Sequence, residues 1–173
     1  MTDELSVSDV ARLIDDPSAA NRANAAGKVA SRYEDGALSD TERQIAEDIF
    51  RVMVKDAEER VRTALVTHLK HAPELSSDVA VVLAKDASDA VAVPMLEFSE
   101  ALSDEDLIDI VRTQGSQRQT AVASRPTVSP AVSDVIVDHG DETAVATLVG
   151  NEGTEMADST MHKVVDRFGD SAK

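Results

Sequence analysis

A chain of 173 residues without cysteine can bury one ordinary core, but it has no thiolate for a disulfide, a zinc or iron–sulfur site, or a covalent nucleophile. Its 33 acidic against 17 basic side chains give a formal net charge of −16, which opposes phosphate backbones and anionic membrane surfaces; neither nucleic acid nor membrane is an expected partner. Hydrophobic residues make up 42% and aromatics only 2%, which predicts a core of closely packed Ala, Val, Leu and Ile without large anchors.

From its N-terminus the chain reads as acidic and broken by polar residues over Met1–Val10, without the basic start and apolar run of a secretory signal. No stretch approaches the roughly 18 consecutive apolar residues of a membrane span. A soluble, cytoplasmic protein forming one domain over residues 1–173 is the expectation.

Along the chain a pattern recurs in the frames Leu13–Ala25, Met53–Leu65 and Leu83–Met95. Each has an apolar helix end, an aspartate, a short turn and a second helix. Asp16, Asp56 and Asp86 are expected to cap those second helices, with Pro17 at a first helical position. Two degenerate units follow, turning at Gln114–Ser116 and His139–Asp141.

Apolar residues three and four apart mark a helix in each piece: Ile45, Ile49 and Val52; Val61, Leu65 and Leu69; Leu107, Ile110 and Val111. Val132, Val135 and Ile136 continue the period, as do Val145, Leu148 and Val149, and finally Met161, Val164, Val165 and Phe168. Ser39–Glu42 is a capping box, Ser103–Asp106 a close relative, and Ser129–Pro130 an N-cap followed by proline. Pro94, inside the second helix of the third frame, predicts a kink or break near Val91–Val93.

The Asp-turn-Val-Arg pattern from Asp56 to Arg62 resembles the HEAT-repeat signature. More specifically, Phe98–Ile108, Arg125-Pro126, Val132–Ile136 and Gly140–Glu142 resemble an uncharacterised bacterial family of HEAT-like proteins of unknown function. The resemblance implies an all-α fold, a right-handed α-solenoid of about five HEAT-like helix pairs plus a C-terminal helix. It implies no activity.

Motifs for chemistry are missing. His68 and His71 lie three apart on one helix, but no glutamate joins them as in a metalloprotease helix. Helix capping accounts for the acidic clusters at Asp15-Asp16, Glu58-Glu59 and Asp104–Asp106, and no calcium loop or glycine-rich phosphate loop is present. Neither a metal nor a cofactor is expected. Arg22, Arg62, Arg118 and Arg125 fall in or near second helices, where they are either ion pairs with turn acids of adjacent repeats or a candidate interaction strip.

The function this predicts is a non-catalytic scaffold or adaptor that binds another protein. End repeats without proper caps would also let two copies pair as a homodimer. Two alternatives follow from HEAT-like folds elsewhere. A nucleic-acid-binding protein of the DNA glycosylase type would need a basic concave face. A bilin-lyase-like enzyme would need a pocket gathering Tyr33 or a histidine with carboxylates.

Overall fold

The structure is a computed structural model that describes residues 15–169. The frame residues Leu13 and Ile14 and the stretch Met1–Val10 lie outside the described residues. The described chain is all-helical, with ten α-helices: α1 Ala19–Glu34, α2 Asp40–Met53, α3 Glu59–Leu69, α4 Ser77–Ala84, α5 Asp89–Phe98, α6 Asp104–Thr113, α7 Ser116–Ala123, α8 Pro130–His139, α9 Glu142–Gly150 and α10 Asp158–Phe168. Its only extended pairing among those residues is an isolated bridge between Val128 and Thr154. No helix among them is long and apolar enough to cross a membrane.

Local chemistry places the helix starts. The Ser39 hydroxyl accepts from the Glu42 amide while the Glu42 carboxylate accepts from the Ser39 amide, and Ser103 with Asp106 repeats this at α6. Ser129 caps α8 with Pro130 in its first turn, where the missing N–H is no loss.

The turn aspartates act differently from expectation. The N-cap residues are Ser18, Glu58 and Ser88, each two positions after its aspartate. Asp16, Asp56 and Asp86 instead accept the backbone N–H of those residues, at 3.2, 2.9 and 2.9 Å, and so brace the turn one step before the helix. Pro17 correspondingly precedes the cap and is not helical.

Pro94 does not break its helix either. Val91–Val93 are helical and α5 continues through Pro94 to Phe98. Only the bond that its N–H would donate one turn back is lost, near the helix start.

The described residues form two compact units, one running to Met95 with Ser99–Ala101, the other comprising Leu96–Phe98 and everything from Leu102. In the first, α1 packs principally on α3. The buried face of α1 is Ala25, Ala26 and Ala30, and that of α3 is Val61, Leu65, Val66 and Leu69, small residues against large ones. The aromatics are not merely scattered: Tyr33 and Phe50 are buried, with ring centroids 5.3 Å apart at 76°. That edge-to-face pair is the large anchor the composition argued against.

In the second unit two rows of helices form. Contacts run α6 to α8 and α8 to α10 in one row, and α7 to α9 in the other. Leu107, Ile110, Val122, Ile136 and Leu148 fill the space between them.

The stitching also differs between units. The first uses arginine–aspartate pairs, whereas the second adds to its Lys163 pair hydroxyls donating to carboxylates: Ser129 to Asp104 at 2.6 Å, Thr160 to Asp134 at 2.8 Å, and Ser116 to Asp141. The Ser116 hydroxyl, with the Ala144 amide behind it, holds the Asp141 carboxyl below its ordinary range.

Candidate functional site

Two of the four arginines are ion pairs between successive turns. Arg22 Nε and Nη2 donate to Asp56 at 2.7 and 3.0 Å, and Arg62 Nε and Nη2 donate to Asp86 at 2.5 and 3.0 Å. Each arginine also donates through Nη1 to a carbonyl of its own turn, Pro17 at 2.5 Å and Asp56 at 2.7 Å. The Arg22 guanidinium holds the Asp56 carboxyl below its ordinary range, and Asp86 holds Arg62 firmly protonated.

Arg118 and Arg125 lie in the second unit and are buried. Arg118 donates to Gln114 Oε1 at 3.1 Å, and Arg125 donates through Nη1 to the Leu96 carbonyl at 2.5 Å. All four guanidinium groups therefore have internal acceptors, and burial takes the latter two away from solvent.

Tyr33 borders a cleft of about 260 Å³ with Glu34, Arg43, Pro73 and Glu74. Its hydroxyl oxygen lies 2.8 Å from both Glu47 Oε1 and the Glu74 carbonyl, two acceptors that share its single proton, while Arg43 pairs with the Glu74 carboxylate. Burial, then the Glu47 carboxylate, pushes the phenol pKa well above its ordinary value. A phenol held protonated against two acceptors is a structural strut and a poor base or nucleophile. Beside it, His68 Nδ1 lies 2.9 Å from Glu34 Oε2. Helix periodicity could not have supplied that carboxylate, because it comes from a different helix.

The surface that lacks internal use is apolar. A groove of about 470 Å³ lies between α9 and α10, lined by Val145, Ala146, Val149 and Gly150 on one side and Val164 and Phe168 on the other, with Glu142 at its border. Val149 is 51% exposed, and on α10 Met161 is 49% and Val165 63% exposed.

Helical spacing explains the groove. Thr160, Lys163 and Arg167 share the face of α10 that turns to α8, donating to Asp134, to Asp134 and Asp138, and to the Val137 carbonyl. Val164 and Phe168 follow Thr160 at steps of four along the edge of that face and line the groove half-buried, while Met161 and Val165 turn outward and stay exposed. An isolated apolar residue at a surface is unremarkable, but a contiguous patch lining a concavity marks an interaction site. The sequence announced these residues by their period but not that Met161 and Val165 stay exposed.

Comparison with known proteins points to the same part of the chain. The model of a family described as an uncharacterised protein conserved in bacteria (DUF2336) matches residues 91–173. That span contains every motif on which the resemblance to an uncharacterised bacterial family rests, and the whole α9–α10 groove. No curated protein and no solved structure matches the chain.

Proposed function

We propose that the chain is a HEAT-like α-solenoid, right-handed, of about five helix pairs plus a C-terminal helix, working as a non-catalytic protein-binding scaffold. The observation that carries this reading is the apolar α9–α10 groove, lined by Val145, Val149, Val164 and Phe168 with Val149 exposed, together with the exposed Met161 and Val165 that flank Val164 on α10. The two rows of the second unit and the repeated turn aspartates support the repeat architecture. Enzyme chemistry draws no support from the Tyr33 cleft, whose phenol and acidic neighbours are committed to one another.

The test is a photoreactive amino acid at Val165, with Gln117 on another exposed surface as control, in cells of the native host. The expected result is a discrete adduct with one protein at Val165 alone, lost when Val149→Glu is added. Equal labelling at both positions, or none at Val165, would reject the scaffold reading.

A further inference from the structure

We propose that the α9–α10 groove is where two copies of the chain pair about a two-fold axis, an inference that rests on reading the groove as a docking surface. A two-fold contact requires one surface to be its own complement, because whatever a residue meets in the other copy is met in return. This surface carries both halves of such a contact. Its concave half is the groove, walled by Val145 and Val149 on α9 and by Val164 and Phe168 on α10. Its convex half is Met161 and Val165, exposed one turn apart on α10 and flanking Val164. Ala146 and Gly150 keep the α9 wall low, and a Cβ added at Gly150 would meet nothing within 4 Å, so a helix of the other copy can come close.

The charges at the groove complement one another in the same way. Glu142 is the one charged residue lining it, and Arg167 lies at its Phe168 wall with the guanidinium carbon 4.9 Å from the ring centroid. Both are exposed. Among the described residues neither forms an ion pair: Arg167 donates to the uncharged Val137 carbonyl, whereas Lys163 on the same helix pairs with Asp134 and Asp138. In the two-fold pair Arg167 of each copy meets Glu142 of the other, while Met161 and Val165 of each enter the other's groove.

The formal charge of −16 on each copy opposes this contact at a distance, but physiological salt screens exposed charges beyond about 8 Å. Helices of 9 and 11 residues from each copy make a small interface, at or below about 1,200 Å² in total. The pairing is therefore reversible, with a Kd of about 10–100 µM.

The test is sedimentation of the full chain from about 1 µM to 1 mM at physiological salt, where a monomer–dimer equilibrium is expected, tighter than at low salt. Val149→Lys and Val165→Lys should each weaken it by about tenfold or more, and Glu142→Arg by about threefold or more. Each of these three makes the chain less negative, so bulk repulsion alone predicts tighter association and docking predicts weaker. Adding Arg167→Glu to Glu142→Arg restores the opposite pair across the axis and should recover most of the loss. Val52→Lys, at a valine 73% exposed in the first unit, should leave the equilibrium unchanged. All the substituted positions are exposed, and unchanged circular dichroism and melting establish that the variants fold.

A chain that stays monomeric at about 1 mM, while Val165 still crosslinks a different protein in cells, would overturn self-pairing and leave the docking surface standing. A dimer that survives Val149→Lys and Val165→Lys would place the contact elsewhere and overturn the groove as its site. A double reversal no tighter than Glu142→Arg alone would overturn the pairing of Arg167 with Glu142, and with it the two-fold arrangement. A monomer with no crosslink at Val165 would remove both readings.

Discussion

Asp56 grips Arg22 with both carboxylate oxygens, at 2.7 and 3.0 Å, and offers its own backbone carbonyl to Arg62 at 2.7 Å. One aspartate thereby joins two turns that lie 40 positions apart, at Asp16 and Asp56, and Arg62 passes the connection on to Asp86. The Arg62–Asp86 pair is the more enclosed, with 14% and 6% of the two side chains exposed. Arg62→Ala should lower the unfolding free energy by roughly 1–2 kcal/mol, the worth of a charge-assisted bidentate pair discounted for partial screening. Arg62→Lys should recover little of it, because an ammonium cannot reproduce the fork. Urea denaturation with an unchanged m-value checks both.

Tyr33 is the chain's single tyrosine, so its titration can be read without overlap. Its folded-state pKa is raised by burial and by the Glu47 carboxylate, so the stability it contributes is present below the unfolded value of 10.0 and declines as pH rises above it. Ultraviolet difference spectra should show no tyrosinate near pH 10, its appearance coinciding with alkaline unfolding. Tyr33→Phe keeps the edge contact with Phe50 and strips the Glu74 carbonyl of a donor, a loss of about 1 kcal/mol.

Two glycines should respond to alanine with opposite signs. Gly27 lies inside α1 with nothing within 4 Å of an added Cβ, so Gly27→Ala should stabilise by about 0.5–1 kcal/mol through the unfolded chain's lost freedom. At Gly153 the added Cβ would fall 1.8 Å from the Pro126 carbonyl oxygen, a backbone atom that cannot swing aside. Gly153→Ala must displace the loop and should lower the melting temperature. Thermal melts of the two variants side by side decide it.

Acid sensitivity follows from Arg51, which donates to Asp78 through Nε at 2.7 Å and holds that carboxyl down to about 2 from an ordinary 3.8. A lowered folded-state value means stability that is complete above the unfolded pKa and is lost as pH falls through the folded one, here from near 4 toward 2. Carbon-13 NMR should find Asp78 still ionised at about pH 3. In Arg51→Gln its titration should move up toward the ordinary value, and the acid limb of the stability curve should flatten.

What could be read from the sequence was what neighbours decide. Ser39 and Glu42, or Ser103 and Asp106, meet within one helical turn, so their reciprocal bonds need no knowledge of the fold. The arginine–aspartate pairing was visible as one alternative because the frame around Asp56 recurs around Asp86. Misplacement of the caps by two residues arose because an aspartate can brace a turn as readily as end a helix. Burial of Arg118 and Arg125 was not legible, since only helix stacking brings Arg125 under the Leu96 carbonyl. The groove was hidden for the same reason: the period of α10 reports an apolar stripe, and only the pull of Asp134 and Asp138 on Lys163 shows where it points.

The loop after α9 is tied down more firmly than its exposed, turn-rich sequence suggests. Asn151 Nδ2 donates to the Ala123 and Arg125 carbonyls at 2.9 and 2.8 Å, and Val128 exchanges backbone bonds with Gly153 and Glu155. Each of those bonds fixes the spacing between two connections, so neither connection can grow by a residue without unpairing the other. An epitope tag or a fluorescent domain spliced after Asn151 would therefore unfasten this end of the second unit. The turn at Gly36, where the backbone is left-handed at φ 66° and the neighbouring Ala37 is exposed, is the better place to graft one.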